Sequence, residues 1–285
     1  MHPTVQSFHD AATGTVSHIV HEGPGTPCAI IDPVLDFDAA SGRTSTHSIE
    51  RLAAYVVDNE LEVEWILETH AHADHLSGAS MLRSRLGGSI GIGRGILEVR
   101  ALFAKTFDLD ADHGFDHLFD DGESFFIGGL RAYVFATPGH TPADSAYLVG
   151  DAVFVGDTLF MPDIGTARCD FPGGDADQLH RSIQCLLTLP DATRVFVCHD
   201  YPPAGRDAAS RTSIGDQRRH NIHVRDGVDR DQFVNLRTAR DRTLKLPGLI
   251  IPALQVNLRA GRLPDHTSDG QRYLKIPLDA PMFGA

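Results

Sequence analysis

The chain is short of the features that would take it out of the ordinary globular enzymes. It has four cysteines, Cys28, Cys169, Cys185 and Cys198, and no two of them stand in a CxxC spacing. That argues against a disulfide framework and a thiolate zinc site, and reduced thiols fit best. No apolar run approaches the roughly 20 residues that span a bilayer. The opening stretch, "MHPTVQSFHDAATG", has neither a basic n-region nor an apolar h-region, so the expectation is a cytoplasmic protein. Positive charge is also scarce: 25 Lys and Arg against 38 Asp and Glu leave a formal net charge of -13, the wrong sign for a surface that neutralises phosphates. Nucleic acid and membrane are therefore not expected partners. What is present, 285 residues with 42% hydrophobic composition, suffices for one large core or two closely joined halves.

Short apolar strands alternate with amphipathic helices in the first part of the chain. "PCAIIDPV" (27–34) reads as a buried strand, "THSIERLAAYVVDNELE" (46–62) carries apolar residues at helical spacing, and "VEWILETH" follows as a strand. A helix over 75–88, ended by paired glycines, and the strand "SIGIG" continue the rhythm of an α/β layer. From Gly122 the pattern changes to hairpins, "ESFFIGGLRAYVFATPGHT" and "SAYLVGDAVFVGDTLF". A helix over 175–190 and the strand "TRVFVCHD" come next, then a polar Arg-rich segment over 206–230, a helix "RDQFVNLRTARDRTL" and a proline-punctuated tail. No repeat, low-complexity tract or long linker divides the chain.

Polar residues gather at the ends of the strands. "THAHADHLSG" places His70, His72, Asp74 and His75 directly after "VEWIL"; His140 stands in "ATPGHT", Asp157 in "VGDT" and His199 in "CHDY". Four separate strands thus deliver imidazole or carboxylate at their C-terminal ends, and these are the ligands of borderline divalent metals. Any one such residue is commonly a turn former or a solvated side chain. One converging metal site accounts for all of them together.

This pattern resembles the metallo-β-lactamase superfamily: the HxHxDH signature at 70–75 with His140, Asp157 and His199 in the same order, over about residues 15–205. The resemblance implies an αββα sandwich with metal at one edge between the two sheets. It also implies a single domain over 1–285, with 206–285 as a helical, Arg-rich and extended C-terminal extension. By the superfamily's full ligand set, His70, His72 and His140 would hold one zinc, Asp74, His75 and His199 a second, and Asp157 would bridge them for hydrolysis. The stretches "THAHADHLSGA", "TPGHTPADSAYLVGD", "DIGTARCDF" and "CHDY" more closely resemble the persulfide dioxygenases, in their bacterial β-lactamase-like hydrolase branch. That likeness implies a single Fe(II) on His70, His140 and Asp157, a facial triad with three open positions. His72, Asp74, His75 and His199 would then orient the ligands and hydrogen-bond bound water or substrate.

The implied reaction is O2-dependent oxidation of a low-molecular-weight persulfide, glutathione persulfide, to sulfite in sulfide detoxification. Such a substrate carries carboxylates, so cations should lie some way from the metal. The resemblance assigns that contact to Arg168, Tyr201 and Arg218, although Arg218 and Arg219 could equally decorate a helix surface. Cys169 is read as a small packed thiol sooner than as a persulfide relay. The alternative is a dizinc glyoxalase II-like thioesterase, against which stand Ala71, where such hydrolases carry another histidine, and the lack of a basic C-terminal helical domain. A metal-sensing module without catalysis is a third reading. The tail "LPGLIIPALQVNLRAGRLP" could cover a neighbouring subunit or its own core, and the family likeness points to a homodimer. The last twenty residues, 266–285, have no assigned role.

Overall fold

The computed structural model describes residues 2–279; the end of the chain over 280–285, part of the stretch without an assigned role, lies outside the described residues. Two six-stranded sheets form the centre. The first runs in spatial order Thr4–His9, Val16–His21, Pro27–Ile31, Glu62–Leu67, Ser89–Gly93, His117–Phe119. The second runs Ser124–Ile127, Leu130–Ala136, Ser145–Val149, Ala152–Phe154, Arg194–Phe196, Arg211–Ser213. Strands that face a neighbouring sheet on one side alternate buried and exposed residues. Leu130, Ala132 and Val134 point inward from the second sheet while Arg131 and Tyr133 point out.

Three packed cores give the layer order. Val20, Ala29, Ile31 and Leu67 of the first sheet meet Phe125, Ile127, Val134 and Phe154 of the second, which makes the face-to-face sandwich. The outer face of the first sheet, through Ile30, Ile66, Ile90 and Ile92, packs under the helices His47–Asp58, Ala79–Leu86, Ile96–Phe107 and Ile250–Asn257. Val153, Val155 and Val195 on the outer face of the second sheet meet Leu179, Ile183, Ile214 and Phe233 from three more helices, Ala176–Leu186, Ile214–His220 and Arg230–Asp241. Helix, sheet, sheet, helix is the αββα order that the resemblance implied.

Parallel pairing then aims the polar strand ends at one edge. Pro27–Ile31, Glu62–Leu67 and Ser89–Gly93 are mutually parallel, so Asp32 and the loop from Glu68 to His75 emerge side by side. In the second sheet Ala152–Phe154 and Arg194–Phe196 are parallel and deliver Asp157 and His199 at their own carboxyl ends. Ligands in open α/β sheets collect at this kind of edge for the same reason. Two glycines allow the close approach. A Cβ on Gly139, at φ +149, would lie 2.3 Å from the backbone of Leu179, and one on Gly156, at φ +52, would lie 2.8 Å from the side chain of Thr69.

The extension belongs to this body. Its helix Arg230–Asp241 joins the layer over the second sheet and its helix Ile250–Asn257 joins the layer over the first, so residues 242–249 cross the edge between them. The tail's apolar residues, Ile250, Ala253, Leu254 and Val256, are buried in the chain's own core. Pro252 falls in the first turn of its helix, where a missing N–H costs no intrahelical bond.

Candidate metal centre

His70 is buried at the end of the Glu62–Leu67 strand, 1% exposed, with Nδ1 3.0 Å from the Thr69 hydroxyl and Nε2 without any hydrogen-bond partner. Burial, with His72 and His140 adding to it, holds its pKa well below the usual histidine value, so it is a neutral imidazole with a lone pair to offer. His140 donates Nδ1–H to the backbone carbonyl of Arg168 at 2.7 Å, and this leaves its Nε2 as the lone-pair nitrogen. Asp157 Oδ2 lies 4.0 Å from His70 Nε2 and 3.6 Å from His140 Nε2. Two nitrogen lone pairs and one carboxylate oxygen, all buried and mutually unbonded, are a donor set that fits a divalent cation.

The second cluster, His72, Asp74, His75 and His199, also converges, but most of its polar atoms already have partners. His199 places Nδ1 2.6 Å from Asp157 Oδ1 and Nε2 2.7 Å from Asp74 Oδ2. Burial opposes its charge, yet Asp157 and Asp74 raise its pKa well above the usual value and keep it an imidazolium. His72 places Nε2 3.0 Å from Asp32 Oδ1 and 3.5 Å from Glu68 Oε2. There too burial is outweighed by the carboxylates, and its pKa is pushed up to about 10. Of the fully buried atoms of this cluster, His72 Nδ1 and His75 Nε2 are without partners. His75 Nδ1 lies 3.2 Å from Thr15 Oγ1, which is also 3.2 Å from His199 Nε2.

A cavity of about 520 Å³ opens over Asp74, His140 and Asp157. Its walls carry Phe160, Ile164, Tyr201, His223 and Arg168, and the crossing segment of the extension closes it with Leu244, Pro247 and Leu249. Tyr201, half exposed at the rim, stacks on His199 with ring centroids 5.7 Å apart. Arg168 reaches the cavity as the resemblance implied, but its guanidinium fork is filled by the Asp170 carboxylate at 2.5 and 2.6 Å and the carbonyl of Lys245 at 2.8 Å. Cys169 is buried with its thiol pKa raised, first by burial and then by Asp241, which suits a packed thiol.

The structure does not bring Arg218 to the cavity. The helix Ile214–His220 turns Ile214, Gly215 and Gln217 inward, so Arg218 and Arg219 face outward. There Arg218 pairs with Asp191 at 3.1 Å and Arg219 with Asp216 at 3.3 Å. The cations that do line the cavity from the extension are Arg237 and Arg240. Arg237 is buried, pairs with Asp241 at 2.7 Å and donates to the Thr166 carbonyl at 3.2 Å, while Asp241 accepts the Cys169 N–H at 2.8 Å. This bracket fixes the loop whose Arg168 carbonyl orients His140.

Two further groups escaped the sequence reading. Asp32, held at φ +49, accepts from the Thr69 N–H at 2.7 Å and the Thr69 hydroxyl at 2.9 Å as well as from His72. Its signal was available, because it too is an acid directly after a buried strand. Asn257, 5% exposed in the Ile250–Asn257 helix, donates to the carbonyls of His72 at 2.9 Å and His75 at 2.8 Å and accepts the Ser77 N–H at 2.7 Å. One amide from the extension thereby pins the whole histidine loop.

The metallo-beta-lactamase superfamily model matches residues 12–199. A probable metallo-hydrolase of Burkholderia pseudomallei is 51% identical over 97% of this chain and 99% of its own length. A beta-lactamase hydrolase-like protein of Xylella fastidiosa is 48% identical over 98% of this chain, which spans 65% of that protein's length. The human mitochondrial persulfide dioxygenase ETHE1 is 28% identical over 69% of this chain and 68% of its own. Among solved structures, ETHE1 from Myxococcus xanthus superposes with a TM-score of 0.74 at 29% identity, covering 91% of this chain and all of that one. With its histidine loop and Asp157 in the matched region, and with its αββα layers, the chain belongs to the metallo-beta-lactamase superfamily.

Proposed function

We propose that the protein is a persulfide dioxygenase holding one Fe(II) on His70, His140 and Asp157. The observation that carries this reading is the inequality of the two clusters: one presents unbonded donors beside the cavity, whereas both ring nitrogens of His199 in the other are occupied by carboxylates. The likeness to ETHE1 in sequence and in fold supports it. Bound iron would supply the redox chemistry and two coordination positions for persulfide sulfur and O2. The balanced reaction takes a glutathione persulfide, O2 and water to glutathione, sulfite and two protons.

The chain's own residues supply position. The Arg168 carbonyl and the Thr69 hydroxyl fix the ring planes of His140 and His70. Asp74 faces the cavity and holds His199 Nε2 at 2.7 Å, which fixes the His199 ring beside Asp157. The phenol of Tyr201 at the rim can donate to the bound thiol, and Phe160, Ile164 and Leu249 keep the surroundings apolar.

A second reading, a dizinc thioesterase acting on acyl-glutathione, is favoured by the unpartnered His72 Nδ1 and His75 Nε2 and by the metallo-hydrolase name of the 51% identical relative. Purification without added metal, elemental analysis and O2 uptake on glutathione persulfide separate the two. One iron per chain with O2 consumption and sulfite release supports the dioxygenase. Two zincs per chain with thioester hydrolysis and no O2 uptake overturns it.

A further inference from the structure

We infer that Arg240, on the extension helix, is the residue that captures a terminal oxyanion of the thiol substrate. The inference rests on the reading of the cavity as a thiol site. Three guanidinium groups line that cavity, and two are already spent within the protein. Arg168 is forked onto Asp170 at 2.5 and 2.6 Å, and Arg237 is buried against Asp241 at 2.7 Å. Freeing either would strand a carboxylate. Among the described residues, no carboxylate lies within ion-pair reach of Arg240, which is exposed on the cavity wall.

His140, Asp157 and Arg240 line one cavity, so a sulfur held at the first two and an oxyanion held at the third belong to one ligand. The chain as a whole carries a formal net charge of -13, and the run Arg237, Arg240, Arg242 and Lys245 is a basic exception within it. Five donors in a fixed fork match either a carboxylate or a phosphate. Glutathione offers the first and coenzyme A the second.

The test titrates the metal-loaded full chain with glutathione, coenzyme A and 2-mercaptoethanol by calorimetry. Arg240→Ala should weaken an oxyanion-bearing thiol by roughly 10–100-fold and leave 2-mercaptoethanol within about twofold, with Arg240→Lys in between. A loss confined to glutathione assigns the carboxylate, and a loss confined to coenzyme A assigns the phosphate. Unchanged affinity for both, or an equal loss for all three thiols, overturns the inference. Oxygen uptake by the parent keeps the two proposals apart. A parent that binds glutathione through Arg240 but takes up no O2 with glutathione persulfide loses the reaction and keeps the site. O2 uptake with unchanged glutathione affinity in Arg240→Ala does the reverse.

Discussion

The two clusters that share Asp157 are built from the same residue types, yet their atoms face different things. On one side His70 Nε2 has no partner, and His140 presents a lone pair because a carbonyl holds its other nitrogen. On the other, His199 lies between two carboxylates and His72 is held by Asp32 and Glu68. Ligand identity alone would make the clusters equivalent. Both ring nitrogens of His199 and the Nε2 of His72 are thus satisfied within the protein, whereas His70 Nε2, His72 Nδ1 and His75 Nε2 are not.

Asp157 is where the comparison is most easily broken, because one oxygen faces His70 and His140 while the other holds His199. Asp157→Ala should remove the only anionic donor of the open cluster and leave the chain without stoichiometric metal after gel filtration. Asp74→Ala touches only the second cluster and should retain iron near one per chain. Equal metal loss in the two variants would make the clusters one site after all.

His72→Ala should come next in size. It removes a ring that lies 4.0 Å from that of His70, centroid to centroid, but whose Nε2 is bonded to Asp32. An orienting role predicts a roughly 10–100-fold loss of metal affinity with measurable iron remaining. His140→Ala, removing an open donor, should lose far more. Competition against a chelator of known affinity ranks the two, and a reversed order would exchange the clusters' roles.

How much of this was legible in the sequence depends on distance along the chain. The strand, helix, strand rhythm and the hairpins follow from local periodicity, and the layer order was implied by the resemblance. Polar residues at strand ends marked both clusters because parallel strands bring such ends to one edge. The same rule covered Asp32 in "IIDPV", which was passed over as part of a strand. Asn257 had no local signal, since it acts 180 residues from Ser77 and sits in a tail whose sequence was read only as proline-punctuated. The local excess of arginine over 206–230 was correctly seen, but only helical phase says which guanidinium faces the cavity. Phase put Arg218 outside and, farther along, Arg240 inside.

Asn257→Ala sharpens the comparison from the side of the backbone. It would leave the Ser77 N–H and two loop carbonyls unpaired in a buried place, at a cost of about 1–3 kcal/mol for each group that water cannot reach. Both clusters hang on that loop, so thermal stability should fall and metal affinity should weaken modestly in each. Asn257→Asp keeps the acceptor for Ser77 and loses the two donors, so it should restore part of the stability. If Asn257→Ala melted like the parent, the extension would be a cover for the core and no part of the site's frame.

The smallest effect is expected at the arginine excluded from the cavity. Arg218 is paired on the surface with Asp191 at 3.1 Å, and exposed ion pairs contribute about 0–1 kcal/mol because water screens them and long side chains lose freedom in making them. Arg218→Ala should therefore leave KM for glutathione persulfide, metal content and melting temperature close to the parent's. Raising salt should change the variant and the parent alike. The value of the experiment lies in its contrast with Arg240→Ala, since Arg218 lies on the outward face of the Ile214–His220 helix whereas Arg240 lines the cavity from the Arg230–Asp241 helix. A rise in KM of tenfold or more for Arg218→Ala, about 1.4 kcal/mol, could not come from a screened surface pair. It would require the Ile214–His220 helix to turn toward the cavity when substrate binds, and charge in this region, not helical phase, would then have been the better guide.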